Sequence, residues 1–192
     1  MPRSARQPGL FDAAPALPEG MVYRPQFISE AEERELIARL ETLDFEPFRF
    51  QGFEGKRRVR SYGWKYDFSR SHLLAAEPIP DWLDPLRERV GAFAGRRDEA
   101  FQQVLINEYR VGAPIGWHRD RPVFETVVGV SLRAPALFRM RRRRGSGFER
   151  MSVPLAPRSA YLLAGPARTD WEHSIGPAPE HRYSITFRNL RR

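Results

Sequence analysis

The chain has 192 residues, 41% of them apolar and 29% charged, with a formal net charge of +8. That balance fits one globular domain with a sizeable core and excludes a disordered chain. Cysteine is absent, which excludes disulfides, iron–sulfur clusters, thiolate metal sites and a Cys nucleophile, so any metal must sit on Asp, Glu or one of four His.

Residues 1–20 are rich in Pro and Gly, lack periodicity and read as a flexible arm before a single domain over 21–192. Ser29 followed by Glu32 is a capping-box pattern, and Leu36, Ile37, Leu40 and Leu43 then recur at helical spacing, predicting a helix over 30–42. A second helix fits 81–94, with Leu83, Leu86, Val90 and Phe93 on one side. Between them, 45–68 mixes aromatics, Gly and Arg and reads as strands and loops. From Phe101 the pattern becomes short strands, at 102–109, 115–119, 126–132, 136–142, 149–154, 159–164 and 181–188. Arg139–Arg144 followed by Gly145-Ser146-Gly147 reads as a hairpin with a charged tip. The fold class is therefore α+β, mainly β, an antiparallel jelly roll with N-terminal helices packed on one sheet. The lack of strand–helix alternation excludes a Rossmann-type fold. No apolar run approaches the roughly 20 residues of a membrane helix. The basic start, Met1–Arg6, is not followed by an apolar stretch, so a cytoplasmic location with no membrane partner is expected.

The cations are 30 Arg and two Lys, Lys56 and Lys65. Arginine forks suit phosphate and stack on bases, which points to a polyanionic partner. A G+C-rich coding sequence would raise Arg, Ala and Pro together, and composition alone leaves both readings open.

Three patterns bear chemistry. In His118-Arg119-Asp120 the first and third residues share one strand face, where they can hold one ion. His173 is the best candidate for a third ligand, and two His with one carboxylate form the facial set of non-haem Fe(II) sites. An H-x-D pair alone also suits a polar strand end. In Arg182–Arg188, Tyr183, Ile185 and Phe187 alternate with Arg182, Ser184, Thr186 and Arg188. One side belongs in a core, and the other offers two guanidiniums to a dicarboxylate or, on an edge strand, to water. Asn107 and Tyr109 share a face before a Gly turn at Gly112 and offer an amide and a phenol.

The order N-x-Y-x-x-G, H-x-D, a His 53 residues after the Asp, and R-Y-x-x-T-F-R resembles the AlkB family of Fe(II)- and 2-oxoglutarate-dependent dioxygenases over about 101–190. The resemblance implies a double-stranded β-helix with His118, Asp120 and His173 as iron ligands. It also implies Arg182 on the distal carboxylate of 2-oxoglutarate, Arg188 near the carboxylate that chelates iron, and Asn107 and Tyr109 hydrogen-bonded to this cosubstrate. The implied activity consumes 2-oxoglutarate and O₂ and dealkylates N-alkylated bases of DNA or RNA, releasing formaldehyde, succinate and CO₂.

The resemblance also implies a nucleotide-recognition lid, placed here at 45–70. In its Arg57–Tyr66 segment Tyr62, Trp64 and Tyr66 are the expected base-stacking rings, though such aromatics also suit a core strand. Arg142 and Arg143 are the expected backbone contacts, on a segment that also reads as a solvated hairpin tip. One departure concerns the position two residues after Asp120, where nucleobase demethylases of this kind often carry an acid. Here it is Pro122, which cannot accept a hydrogen bond from an exocyclic amine. Two alternatives therefore stand beside nucleic-acid dealkylation: the same oxygenase chemistry on a protein or small molecule, and a non-catalytic Arg-rich nucleic-acid binder. Gln7-Pro8-Gly9-Leu10-Phe11 resembles peptides that dock on the bacterial sliding clamp, which would make the clamp a partner; a chance match in a disordered tail is the simpler explanation.

Overall fold

A computed structural model describes residues 17–50, 52–67, 72–96 and 101–191. The chain runs β1 (Met21–Arg24), α1 (Glu30–Leu40), β2 (Glu46–Phe50), β3 (Phe53–Tyr62), β4 (Trp64–Asp67), β5 (His72–Ala75), α2 (Asp84–Phe93), β6 (Gln103–Tyr109), β7 (Ile115–His118), β8 (Phe124–Leu132), β9 (Ala136–Arg144), β10 (Gly147–Leu155), β11 (Ala160–Leu163), α3 (Gly165–Thr169), β12 (Glu172–Ile175) and β13 (Arg182–Leu190). The major sheet has the order β1-β11-β8-β13-β6-β3-β2, and the minor sheet β10-β9-β12-β7. All their ladders are antiparallel. Two antiparallel sheets, one covered by helices, are the jelly roll expected from the strand spacing.

The capping box forms at α1. Glu32 N donates to Ser29 Oγ at 3.2 Å, and Ser29 N donates to Glu32 Oε2 at 2.8 Å. The Arg89 guanidinium on Glu32, together with the Ser29 backbone N–H, lowers the carboxyl pKa from 4.5 to about 2. Because the folded pKa is depressed, the stabilisation is present above the unfolded value and is lost as pH falls from about 4.5 to about 2. The pair is well exposed, so screening leaves only about 1 kcal/mol or less. Urea titrations at pH 6 and pH 2 should show that Glu32→Gln narrows the stability difference between the two pH values by about that amount. An unchanged difference would mean the box contributes nothing.

The second predicted helix begins differently. Asp81–Leu83 forms a 3-10 turn, closed by Asp84 N on Asp81 O, before α2 starts. Pro85 has no N–H to bond the Asp81 carbonyl, so an α-turn cannot form there. Leu36, Leu40, Leu83, Leu86 and Val90 of the helical layer pack on Ile106, Val128, Val130, Tyr183, Ile185 and Phe187 of the major sheet. A second core lies between the sheets, around Val127, Phe138, Met140, Leu155, Leu163 and Trp171. Strand β13 thus faces the helices with its apolar residues and the space between the sheets with Arg182, Ser184, Thr186 and Arg188.

Short elements are where expectation and structure part. β1, β12 and both strands of the two-stranded β4–β5 ribbon have four residues each, too short for an alternating pattern to register. The arm was expected to reach residue 20, but Pro18 is buried and Met21 N bonds Pro18 O at 2.9 Å. Ala167 N and Ala164 N bond Glu19 O and Gly20 O at the same distance. Gly20 has φ +84, and a Cβ there would lie 2.0 Å from Ala164 O, so only glycine allows this docking. The clamp-like Gln7–Phe11 segment lies outside the described residues. Among the described residues no helix is long and apolar enough to cross a membrane.

Candidate active site

Between the sheets is a cavity of about 810 Å³, within the roughly 300–1,000 Å³ typical of ligand sites. Its floor is the inner face of β13 and β6. Register pairs Arg182 with Tyr109, Ser184 with Asn107, and Arg188 with Gln103, so the two polar patterns found in the sequence meet on one wall. The opposite wall is the minor sheet, where His118 of β7 stands directly across from His173 of β12.

The imidazoles of His118 and His173 lie 4.3 Å apart, centre to centre. Nδ1 of His118 is 2.9 Å from Gly116 O; a carbonyl can only accept, so Nδ1 carries the proton and Nε2 presents a lone pair. Burial, then the neighbouring His118, pushes the His173 pKa down to about 3, and burial likewise lowers that of His118. Both rings are therefore neutral donors at physiological pH. Asp120 follows β7 and sets Oδ2 3.6 Å from His173 Nε2. Its burial opposes ionisation, but Arg188, His173 and His118 together hold its carboxyl well below the ordinary carboxylate range. Among the described residues no three such side chains close into a metal cage. His118, Asp120 and His173 converge without closing one, and Arg188 occupies Asp120 Oδ1 through Nε and Nη2, each at 2.7 Å.

Arg182 is 1% exposed. Its Nη2 donates to Ser131 Oγ at 2.9 Å and its guanidinium lies 4.6 Å from the Tyr109 ring centre, but Nε and Nη1 are buried with no partner. An arginine cannot shed its charge, and a buried unpaired cation is costly. Arg188 also donates from Nη1 to Gln103 Oε1 at 2.9 Å. Asn107 is held on both sides: its Oδ1 accepts from Arg57 Nη1 at 2.5 Å, and its Nδ2 donates to Ser184 Oγ at 3.2 Å. Three buried guanidiniums, Arg57, Arg182 and Arg188, thus share the cavity with one buried carboxylate, Asp120. The chamber is short of negative charge, as a site for a dicarboxylate must be.

The lid residues divide at Gly63. Gly63 has φ +72, and a Cβ there would sit 2.0 Å from Gln102 O, so the chain kinks where no other residue fits. Before the kink, Tyr62 pairs with Val104 and is 5% exposed within the helix–sheet core. The expectation of a base-stacking Tyr62 is corrected: its ring is packing, fixed by β3 remaining in the major sheet. After the kink, Lys65 and Tyr66 line the cavity mouth, whereas Trp64 is half-buried and does not line it. The Arg121 guanidinium lies 4.9 Å from the Tyr66 ring centre. Arg57, Arg58 and Arg60, basic residues of the same segment, bond to Asn107, Glu108 and Glu77. Arg142 bonds Glu149 at 2.7 Å, and Arg142 and Arg143 border a second cleft with Arg119, Arg144 and Asp170.

Sequence reasoning gave no cavity role to Arg57, Ser131 or Tyr161, all of which line the chamber. Tyr161 had a signal. Gly129 interrupts the Val127-Val128-Gly129-Val130 run of β8, and a Cβ there would lie 2.4 Å from the Tyr161 ring. Glycine inside a strand often marks such a close approach.

Residues 20–188 match the family described as the 2OG-Fe(II) oxygenase superfamily, and the chain belongs to it. Its cofactors are accordingly Fe(II), with 2-oxoglutarate and O₂ as cosubstrates. Within that class the chain is AlkB-like. It is 26% identical over 187 residues to the Arabidopsis thaliana alkylated DNA repair protein ALKBH8 homolog, covering 85% of this chain and 51% of that one. It is 34% identical over 114 residues to the Danio rerio probable RNA/DNA demethylase ALKBH6, covering 58% and 45% respectively. The chain thus spans about half the length of these curated relatives. In structure it is similar to OsALKBH1, with TM-score 0.69 at 17% identity over 88% of this chain and 96% of that one. It is also similar to a Pseudomonas putida prolyl-4-hydroxylase, with TM-score 0.64 at 15% identity over 90% and 93%. These two likenesses concern the fold alone.

Proposed function

We propose that the chain dealkylates N-alkylated bases of DNA or RNA, with His118, Asp120 and His173 holding Fe(II) and Arg182 anchoring 2-oxoglutarate. Two neutral imidazoles and one ionised carboxylate are the donor set of a non-haem Fe(II) site. Nε2 of His173 and Oδ2 of Asp120 are close enough to reach one ion. Arg182 offers its unpartnered Nε and Nη1 to a carboxylate. Arg188 keeps Asp120 ionised and fixes its orientation, and Asn107 and Tyr109 complete the polar wall. Bound Fe(II) with 2-oxoglutarate supplies the O₂ activation needed to oxidise a C–H bond. The chain's part is to bind, orient and exclude water. For an N-methyl base the products balance as the free N–H, formaldehyde, succinate and CO₂.

The observation that carries the nucleic-acid reading is the cavity rim. Arg119 lines both the chamber and the adjoining cleft of Arg142, Arg143 and Arg144, so a basic path for phosphates leads straight to the buried site. Tyr66 and Trp117 stand at its mouth for an extruded base. The relatives' names, alkylated DNA repair protein and RNA/DNA demethylase, agree with this reading. A second reading, the same chemistry on a protein or small molecule, draws on Pro122, which is exposed, follows the cavity-lining Arg121 in sequence and has a ring that offers no acceptor to a base amine.

A panel of methylated DNA and RNA oligonucleotides separates the two. The proposal expects formaldehyde in step with succinate on at least one methylated oligonucleotide and none on its unmethylated twin. Succinate formation that no oligonucleotide couples to formaldehyde would move the second reading ahead.

A further inference from the structure

The outer face of the minor sheet carries arginines that the cavity does not use. Along β9, Arg139, Arg141 and Arg143 alternate with Phe138, Met140 and Arg142, and the first three share the outer face. On β10, Arg150 stands directly opposite Arg141, and Phe148 opposite Arg143. On β12, Glu172 is opposite Arg141, with its Oε2 2.7 Å from Arg141 Nε. Four guanidiniums therefore meet one carboxylate on this face.

Rings do most of the holding. Phe148 has Arg141 at 4.5 Å, Arg150 at 5.4 Å and Arg143 at 5.5 Å from its centre. Trp117 has Arg141 at 4.4 Å and Arg139 at 5.4 Å. A ring fixes a guanidinium in place without neutralising its charge, which an acid partner would do. The Arg141–Arg150 pair also sets like charges directly opposite, an arrangement that destabilises a sheet. The neighbouring register position shows the ordinary solution, where Arg142 stands opposite Glu149 and bonds it at 2.7 Å. The face ends at edge strand β7, whose Trp117 lines the cavity mouth.

We propose that this face binds the phosphodiester backbone of the nucleic-acid strand leading into the cavity. The inference rests on the nucleic-acid reading above and extends its footprint from the cleft beside Arg142 across the outer surface of the minor sheet. Held against rings, with Glu172 on Arg141 as the one acid partner of the four among the described residues, these guanidiniums present their forks to phosphate oxygens with little ordering left to do. The repulsive Arg141–Arg150 pair is relieved when a phosphate comes between them.

Two variants outside the cavity test this, with fluorescein-labelled oligo(dT) and oligo(U) titrated over a range of salt. Arg150→Glu places an acid opposite Arg141. Tm should rise slightly while oligonucleotide affinity falls several-fold, and the slope of log K against log salt should flatten by about 0.7 or more. Phe148→Ala leaves the charge intact but releases three guanidiniums, and should also weaken binding several-fold. Both variants should keep the basal 2-oxoglutarate decarboxylation of wild type. Wild-type affinity and slope in both variants would overturn this footprint alone. Failure of the wild-type chain to bind either oligonucleotide would overturn it together with the nucleic-acid reading, which the formaldehyde panel tests independently.

Discussion

Replacing Asp120 with Ala is expected to reduce succinate formation from 2-oxoglutarate to background. The loss should exceed the roughly 10–100-fold that removal of a contact behind a metal ligand costs, because the carboxylate is the one anionic donor of the proposed triad. The substitution also strands Arg188, which donates to Asp120 Oδ1 from both Nε and Nη2. Breaking a buried pair on one side costs about 3–5 kcal/mol, so lost activity alone would not separate a ligand from a structural partner. His118→Ala separates them, because it removes a donor and leaves the Asp120–Arg188 pair intact. The expected result is loss of turnover in both variants, with Tm reduced mainly in Asp120→Ala. Near-normal succinate formation in either variant would remove that residue from the metal site.

The second large effect concerns Arg182. Its Nε and Nη1 have no protein partner, and a charge-assisted fork to a buried carboxylate contributes about 2–4 kcal/mol. Arg182→Ala should raise the apparent KM for 2-oxoglutarate by roughly 30- to 800-fold. Arg182→Lys should recover little, since an ammonium cannot form the planar fork and cannot reproduce the contact with Ser131 in the same geometry. An unchanged KM in both variants would place the cosubstrate elsewhere.

Legibility in the sequence followed the length of each pattern. Strand β13 alternates over nine residues, and its division into a core side and an arginine side reads directly from Arg182 to Arg188. The H-x-D spacing shows His118 and Asp120 together because i and i+2 share a strand face. His173 is different. It lies within β12, a four-residue strand, so no local alternation ties it to the other two; its residue type and its place after the strand predicted over 159–164 make it a candidate, and the resemblance gives it the role. The direction of the lid was hidden as well. Tyr62, Trp64 and Tyr66 are evenly spaced in the sequence, yet the kink at Gly63 sends the first into the core and brings the last to the cavity mouth. That kink depends on the approach of Gln102 O, a contact between distant segments that no local pattern encodes. Arg57 was concealed by company. It stands among Lys56, Arg58 and Arg60, and only its side-chain hydrogen bond to Asn107, from β3 across to β6, separates it from its exposed or acid-paired neighbours.

Calorimetric binding of the cosubstrate tests most directly the proposal that one chamber holds a divalent metal and 2-oxoglutarate together. With Mn(II) in place of Fe(II), to prevent turnover, 2-oxoglutarate should bind wild type at one equivalent. That affinity should fall sharply when the metal is omitted, when His118 is replaced by Ala, or when Arg182 is replaced by Ala. Binding of 2-oxoglutarate that is indifferent to both the metal and Arg182 would contradict the account.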